Sequence, residues 1–163
     1  MNVDKSKIKI HRIDKNDIDT MIQHRINYLI ELQGERAEKY KNRLKKELSR
    51  FFFKSIAEGS FIAIAAKIED QVIGYGGMII KQIPGDFNKS SYLEGEILNM
   101  YTIPIARRQG VASLILKQLL QIAEEKGISK VALHTSKESE KLYRSFGFSK
   151  PDYPFLERLI DRI

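Results

Sequence analysis

The sequence predicts an α/β domain, and three observations lead there. Lys7-Ile-Lys-Ile-His-Arg-Ile13 alternates apolar and polar residues as a half-buried strand does. Phe61 to Ile68 and Val72 to Gln82 are short apolar runs bounded by polar turns, the pattern of buried strands. Valine, alanine, isoleucine and leucine recur at 111/112, 115/116, 119/120 and 122/123, a stripe at helical spacing. A chain of 163 residues is most simply one domain, residues 1–163, long enough to bury a sizeable core.

Taken in order, Lys7 to Ile13 is a first strand, at a sheet edge. Asp14 or Asp17 can cap a helix carrying Ile18, Met21, Ile22, Ile26 and Leu29 on one side and stopping near Gly34. A second helix over about 35–57 has the apolar stripe Ala37, Tyr40, Leu44, Leu48, Phe51 and Phe52, and Gly59 ends it. Its lysines and arginines read first as a solvated face helped by Glu35, Glu38 and Glu47, and second as a wall attracting an acidic substrate. The turn Glu69-Asp-Gln71 joins the next two strands. Gly74-Tyr-Gly-Gly77 is no nucleotide loop, because no helix follows and no Gly-Lys-Ser/Thr completes it. Glycines inside a strand mark a bulge or a close approach instead.

A polar loop, Pro84 to Ser91, leads into a strand carrying Ile97, Leu98, Met100, Tyr101 and Ile103, cut off by Pro104. The basic loop Arg107-Arg108-Gln109-Gly110 precedes the periodic helix, which stops at Gly127. Ile128 to Leu133 reads as a short buried strand. Ser136 can cap a last helix whose apolar face is Leu142, Tyr143 and Phe146, ended by Gly147.

Composition narrows the chemistry. With no cysteine, disulfides, thiolate metal sites and a cysteine nucleophile are excluded. His11, His24 and His134 form no ligand pair at helical spacing, so no metal is expected. Met1 to Asp14 lacks a secretory pattern, and the longest apolar run, Phe61 to Ala66, is too short to span a bilayer. The expected location is cytoplasmic, without membrane attachment. A net charge of +7 favours anionic partners. Nucleic acid and a small polyphosphate are both candidates; no helix-turn-helix, zinc-finger or aromatic RNP motif supports the first, and charge narrows partners by sign only.

The basic loop carries the sharpest signal. No Ser, Thr, Asp or Asn precedes the apolar stripe to cap the helix, and two arginines sit where the helix dipole is already positive. A bound anion would repair both faults, with Gly110 allowing close backbone approach. A basic surface loop is the plainer alternative.

Arg107-x-x-Gly110-x-Ala112 resembles the pyrophosphate-binding motif (Gln/Arg-x-x-Gly-x-Gly/Ala) of the GNAT superfamily of acetyl-CoA-dependent N-acetyltransferases. Leu142-Tyr143 and Gly147-Phe148 match that family's Leu-Tyr-x-x-x-Gly-Phe helix. The resemblance covers roughly residues 7–160, with specific motifs at 94–113 and 136–148. It implies a mixed, largely antiparallel central sheet flanked by helices, in the order β-α-α-β-β-β-α-β-α-β-β. Pro154 to Ile160 would be the last strand.

The resemblance also implies roles. The main chain of Met100, Tyr101 and Thr102 would pair with pantetheine as an added strand would. Arg107, Arg108, Gln109, Gly110, Val111, Ala112 and Ser113 would surround the pyrophosphate. Lys141 or Arg144 could reach the cofactor's other phosphate. Ser136 and Ser139, which stand where the family often has asparagine and alanine, complete the cofactor-binding set. Glu96 is the expected general base, its proton affinity raised beside an apolar strand, with Glu94 as competitor and a strand-edge salt bridge as the plain alternative. Tyr143 is the expected proton donor to the departing thiolate, or else a core tyrosine.

The implied reaction is direct transfer from acetyl-CoA to a primary amine in a ternary complex. No cysteine or Gly-x-Ser-x-Gly elbow supports an acetyl-enzyme. The contrasting class is a non-catalytic module that binds CoA or another polyanion. The acceptor is not legible, and a homodimer is left open.

Overall fold

The computed structural model describes residues 4–160. A 3-10 turn, Lys5–Lys7, opens it. There follow β1 (Ile8–Arg12), α1 (Ile18–Gln33), α2 (Glu38–Ala57), β2 (Phe61–Ile68), β3 (Gln71–Pro84) and β4 (Ser91–Thr102). A second 3-10 turn, Pro104–Ala106, leads to α3 (Val111–Glu125), β5 (Ile128–Leu133) and α4 (Lys137–Ser145). The strands form one sheet in the order β1-β2-β3-β4-β5. The first four pair antiparallel, and β5 returns parallel to β4 after α3 has crossed over the sheet. The mixed, largely antiparallel sheet is the one expected.

Both faces of the sheet are covered. Ile62, Ile64, Ala66, Ile73, Met78 and Ile97 pack against Ile115, Leu116 and Leu119 of α3 and Tyr143 of α4. On the other face, Phe61, Ala63, Ala65, Tyr75 and Tyr101 meet Ile18, Met21, Ile22 and Ile26 of α1 and Phe52 of α2. Coverage on both faces is why β2 and the first part of β3 read as near-continuous apolar runs rather than alternating ones.

The glycine run in β3 has a packing cause. A Cβ on Gly76 would collide with Met100 Sδ and lie 2.8 Å from Ile115 Cγ2; one on Gly74 would lie 2.9 Å from the Tyr101 carbonyl oxygen. Opposite Gly76, two residues of β4 face one of β3, because the register steps from Tyr75↔Tyr101 to Gly77↔Leu98. This is a β-bulge, with Asn99 in the left-handed region at φ 58°.

Four expectations need correction. Asp17 sits at the start of α1 but makes no capping bond. Its carboxylate accepts from Lys67 Nζ at 3.0 Å and lies 3.3 Å from His11 Nε2, joining α1 to the sheet instead. The stripe on α2 is only partly used: Phe52 is buried and Leu44 and Leu48 pack against the core, whereas Tyr40 and Phe51 are each 48% exposed at the margins of that contact. β5 is half-exposed rather than buried, since it is the outer strand. The closing strand does not form. Pro154 to Ile160 carries no regular structure, and Tyr153, Phe155, Leu156 and Ile160 are exposed. Pro151 and Pro154 each remove a donor that pairing along β5 would use. No described helix is long and apolar enough to cross a membrane.

Candidate active site

The site is built around the C-terminal half of β4. β5 pairs with β4 only as far as Ile97↔Leu133, so Leu98 to Thr102 have no strand on that side among the described residues. The bulge at Asn99 further interrupts the ladder. Met100, Tyr101 and Thr102 therefore lie along an open main-chain edge, able to pair with an extended ligand.

That edge runs into the start of α3. Gly110 adopts φ 86° and ψ 2°, and no side chain caps the helix. The first N–H groups of Val111, Ala112 and Ser113 have no acceptor within the helix. Arg108 is also left-handed, at φ 59°, an uncommon state for a residue with a Cβ. Two left-handed residues within four make a strained loop of the sort that gathers at ligand sites.

Arg107 is held by contacts within the protein. Its guanidinium donates to Thr102 O at 2.9 Å and to Glu31 Oε2 of α1 at 2.6 Å, and stacks 5.6 Å from the Tyr101 ring centroid. Tyr101 in turn donates to Glu31 Oε1 at 2.8 Å. Burial would raise the Glu31 carboxyl, but the bonds from Arg107 and Tyr101 outweigh it and hold the group below its usual range. Arg107 thus clamps the loop to α1, and Arg108 beside it is exposed. Gln109 Nε2 donates to Ile105 O at 2.9 Å, tying the loop to the preceding turn. Lys5, missed in the sequence, approaches from the N-terminal turn: its Nζ would lie 3.4 Å from a Cβ placed on Gly110.

Glu94 and Glu96 alternate with Gly95 and Ile97 and so stand on the α1/α2 face, as their shared parity requires. Glu94 pairs with Lys130 at 2.8 Å. Glu96, with 35% of its side chain exposed, pairs with Lys81 at 2.5 Å. The desolvated setting expected for Glu96 is replaced by an ion pair, because β3 brings Lys81 alongside.

Tyr143 is 7% exposed and packs edge-on to Phe148 at 5.9 Å. Burial pushes its phenol up, and Tyr28 on α1 adds to the shift, so it keeps its proton at neutral pH. Ser136 Oγ accepts from the Ser139 N–H at 3.3 Å, capping α4 as expected, and the two hydroxyls lie 3.3 Å apart. Lys141 and Arg144 are exposed, Arg144 bonding Glu140 at 2.6 Å.

Comparison with known proteins agrees with this geometry. A crystal structure of a predicted acetyltransferase from Clostridium acetobutylicum, determined with acetyl-CoA, superposes with a TM-score of 0.80 at 27% identity, covering 94% of this chain and 96% of that one. A GCN5-related N-acetyltransferase from Ralstonia eutropha JMP134 shares the fold, with a TM-score of 0.73, 18% identity, and coverage of 93% of this chain and 98% of that one. The uncharacterized N-acetyltransferase YedL of Escherichia coli K12 is 35% identical over 72 residues, which is 41% of this chain and 45% of the relative. The match therefore spans less than half of YedL's length. The profile of the Acetyltransferase (GNAT) family matches residues 26–148, from the middle of α1 to the end of the Leu-Tyr-x-x-x-Gly-Phe segment. A span that takes in the open edge of β4, the left-handed loop and Tyr143 makes this chain a member of the GNAT acetyltransferase family.

Proposed function

We propose that this protein is an N-acetyltransferase that moves the acetyl group of acetyl-CoA to a primary amine by direct attack in a ternary complex. The observation that carries the reading is the start of α3, which no side chain caps and where Arg108 and Gly110 are left-handed, beside the open edge of β4. A diphosphate suits the first amides of α3, the helix dipole and the cations Arg108 and Lys5. The pantetheine arm then runs along Met100, Tyr101 and Thr102. Gln109, Val111, Ala112 and Ser113 complete the cradle, while Arg107 positions it from behind. Ser136 and Ser139 flank the cofactor at the start of α4.

In the reaction the amine nitrogen forms a bond to the thioester carbonyl carbon and the carbon–sulfur bond breaks. The proton lost by the nitrogen passes to Glu96, and Tyr143 gives its proton to the departing sulfur. A main-chain N–H freed by the bulge stabilises the carbonyl oxygen as negative charge develops on it. Solvent then restores both residues. Lys81 occupies Glu96 as a substrate ammonium would, so the acceptor competes with it for the carboxylate.

The test follows thiol release from acetyl-CoA over a panel of primary amines. Glu96→Gln and Tyr143→Phe are each expected to lower kcat about a hundredfold, leaving acetyl-CoA binding intact. Unchanged turnover in both variants removes the assigned roles. Binding without turnover on any amine, in the wild type, would favour a non-catalytic CoA-binding module.

A further inference from the structure

Beneath the β4 bulge lies a group of polar side chains that the acetyl-transfer roles leave unused. Arg25 of α1 is half-buried and donates from Nη1 to Asn99 Oδ1, its one hydrogen-bond partner among the described residues. No carboxylate among the described residues answers its charge. The acidic residues along this face are committed elsewhere: Glu31 to Arg107, Glu96 to Lys81, Glu94 to Lys130 and Asp17 to Lys67. Asn99 is 8% exposed, and its buried Nδ2 has no partner among the described residues. Tyr75 is 1% exposed, and its buried hydroxyl has none among the described residues either. Tyr75 stands opposite Tyr101 at the edge of the same bulge.

These groups are donors in excess. A guanidinium offers five N–H groups, and only one here is engaged. Burial pushes the Tyr75 phenol up, so it remains a donor at any physiological pH. Leaving a buried donor unpaired costs about 1–3 kcal/mol, and this cluster gathers two of them around an unanswered cation. Its complement is a planar anion with two acceptor oxygens, which a guanidinium fork matches best. The cluster also has the right address. Asn99 lies three positions beyond Glu96 on β4, and Arg25 meets it from the helix layer that covers the Glu96 face.

We propose that Arg25, with Asn99 and Tyr75, forms a carboxylate-binding subsite, and that the acceptor is a small amine carrying a carboxylate, the chemistry of a free amino acid. This rests on the acetyl-transfer reading above and names its second substrate. Arg25 and Asn99 fix the carboxylate while the amine end points along β4 toward Glu96.

The test compares the common L-amino acids, ω-amino acids included, with their C-terminal amides, which keep the amine and lose the carboxylate. In the wild type the acids are expected to exceed the amides in kcat/KM by about tenfold or more, the scale of one charge-assisted hydrogen bond. Arg25→Gln is expected to level the two series and Arg25→Lys to keep part of the preference, with the KM for acetyl-CoA unchanged throughout. The readout is a ratio within each variant, so partial loss of folded protein does not hide it. Equal rates for acids and amides in the wild type, or an acid preference that survives Arg25→Gln, overturns the proposal. So does a thermal shift with acetate or inorganic phosphate that depends on Arg25 while acids and amides react alike, since the anion would then be structural. If neither series is acetylated, the proposed acceptor is wrong. Acetyl-CoA titration then separates the two levels: retained binding keeps the donor side of the acetyl-transfer reading, and lost binding removes both.

Discussion

At the scale of single residues, His24 shows how the crowded face beneath β4 links stability to pH. Its ring centroid lies 5.8 Å from that of Tyr75 and 5.7 Å from that of Tyr101, and its buried Nδ1 has no partner among the described residues. Burial holds its pKa below the ordinary value of 6.5, so the folded protein keeps it neutral where the unfolded chain would protonate it. As pH falls through 6.5, the unfolded state binds more protons than the folded state, and stability must drop. The loss levels off once pH has passed the lower, folded value. Melting curves from about pH 8 to about pH 5 should therefore show a falling Tm. His24→Phe, similar in shape and unable to titrate, should remove that part of the slope. A slope unchanged in the variant would assign it to other groups.

At the scale of elements, the start of α3 makes a sharp prediction because the chain contains its own control. Gly110 has φ 86°, and Gly59, after α2, has φ 74°. Alanine at either position forces a Cβ into left-handed backbone, which costs roughly 1–2 kcal/mol. Nothing lies within 4 Å of a Cβ at Gly59, and at Gly110 only the end of the Lys5 side chain does, which can move. Both variants should lose similar stability by denaturant unfolding. Only Gly110→Ala should weaken acetyl-CoA binding, and equal binding by the two would separate the loop from the cofactor. Sequence legibility divides at this same scale. Helix stripes, turn glycines and the basic loop are local patterns, so α1, α3, α4 and the loop could be placed from residues alone. The bulge left a faint trace, an asparagine inside an apolar strand with a glycine run in the strand before it. What could not be read depends on partners distant in sequence. Asp17 gave up its cap to Lys67, Glu96 met Lys81, and Lys5, Arg25 and Glu31 came to the site from elements with no motif. The closing strand failed for a related reason, since a strand exists only where an edge accepts it.

At the scale of the whole molecule, the question is whether the net charge of +7 or the shaped loop governs anion binding. Diffuse positive charge attracts any polyanion, and that attraction is screened by salt over about 10 Å at 0.1 M. A loop that supplies amides, a helix end, Arg108 and Lys5 at one point should hold acetyl-CoA at salt concentrations that release a generic polyanion. A ligand that binds only the folded protein stabilises it by about 2.7 kcal/mol at a hundred times its Kd, which is several degrees in Tm for a chain of this size. Acetyl-CoA should therefore raise Tm by several degrees at both low and moderate salt. Duplex DNA at equal phosphate concentration should act only at low salt, if at all. Arg108→Ala and Lys5→Ala should each reduce the acetyl-CoA shift, whereas Lys46→Ala, on the exposed basic face of α2, should leave it unchanged. If all three substitutions lowered the shift equally, binding would follow total charge, and the loop would lose its special standing.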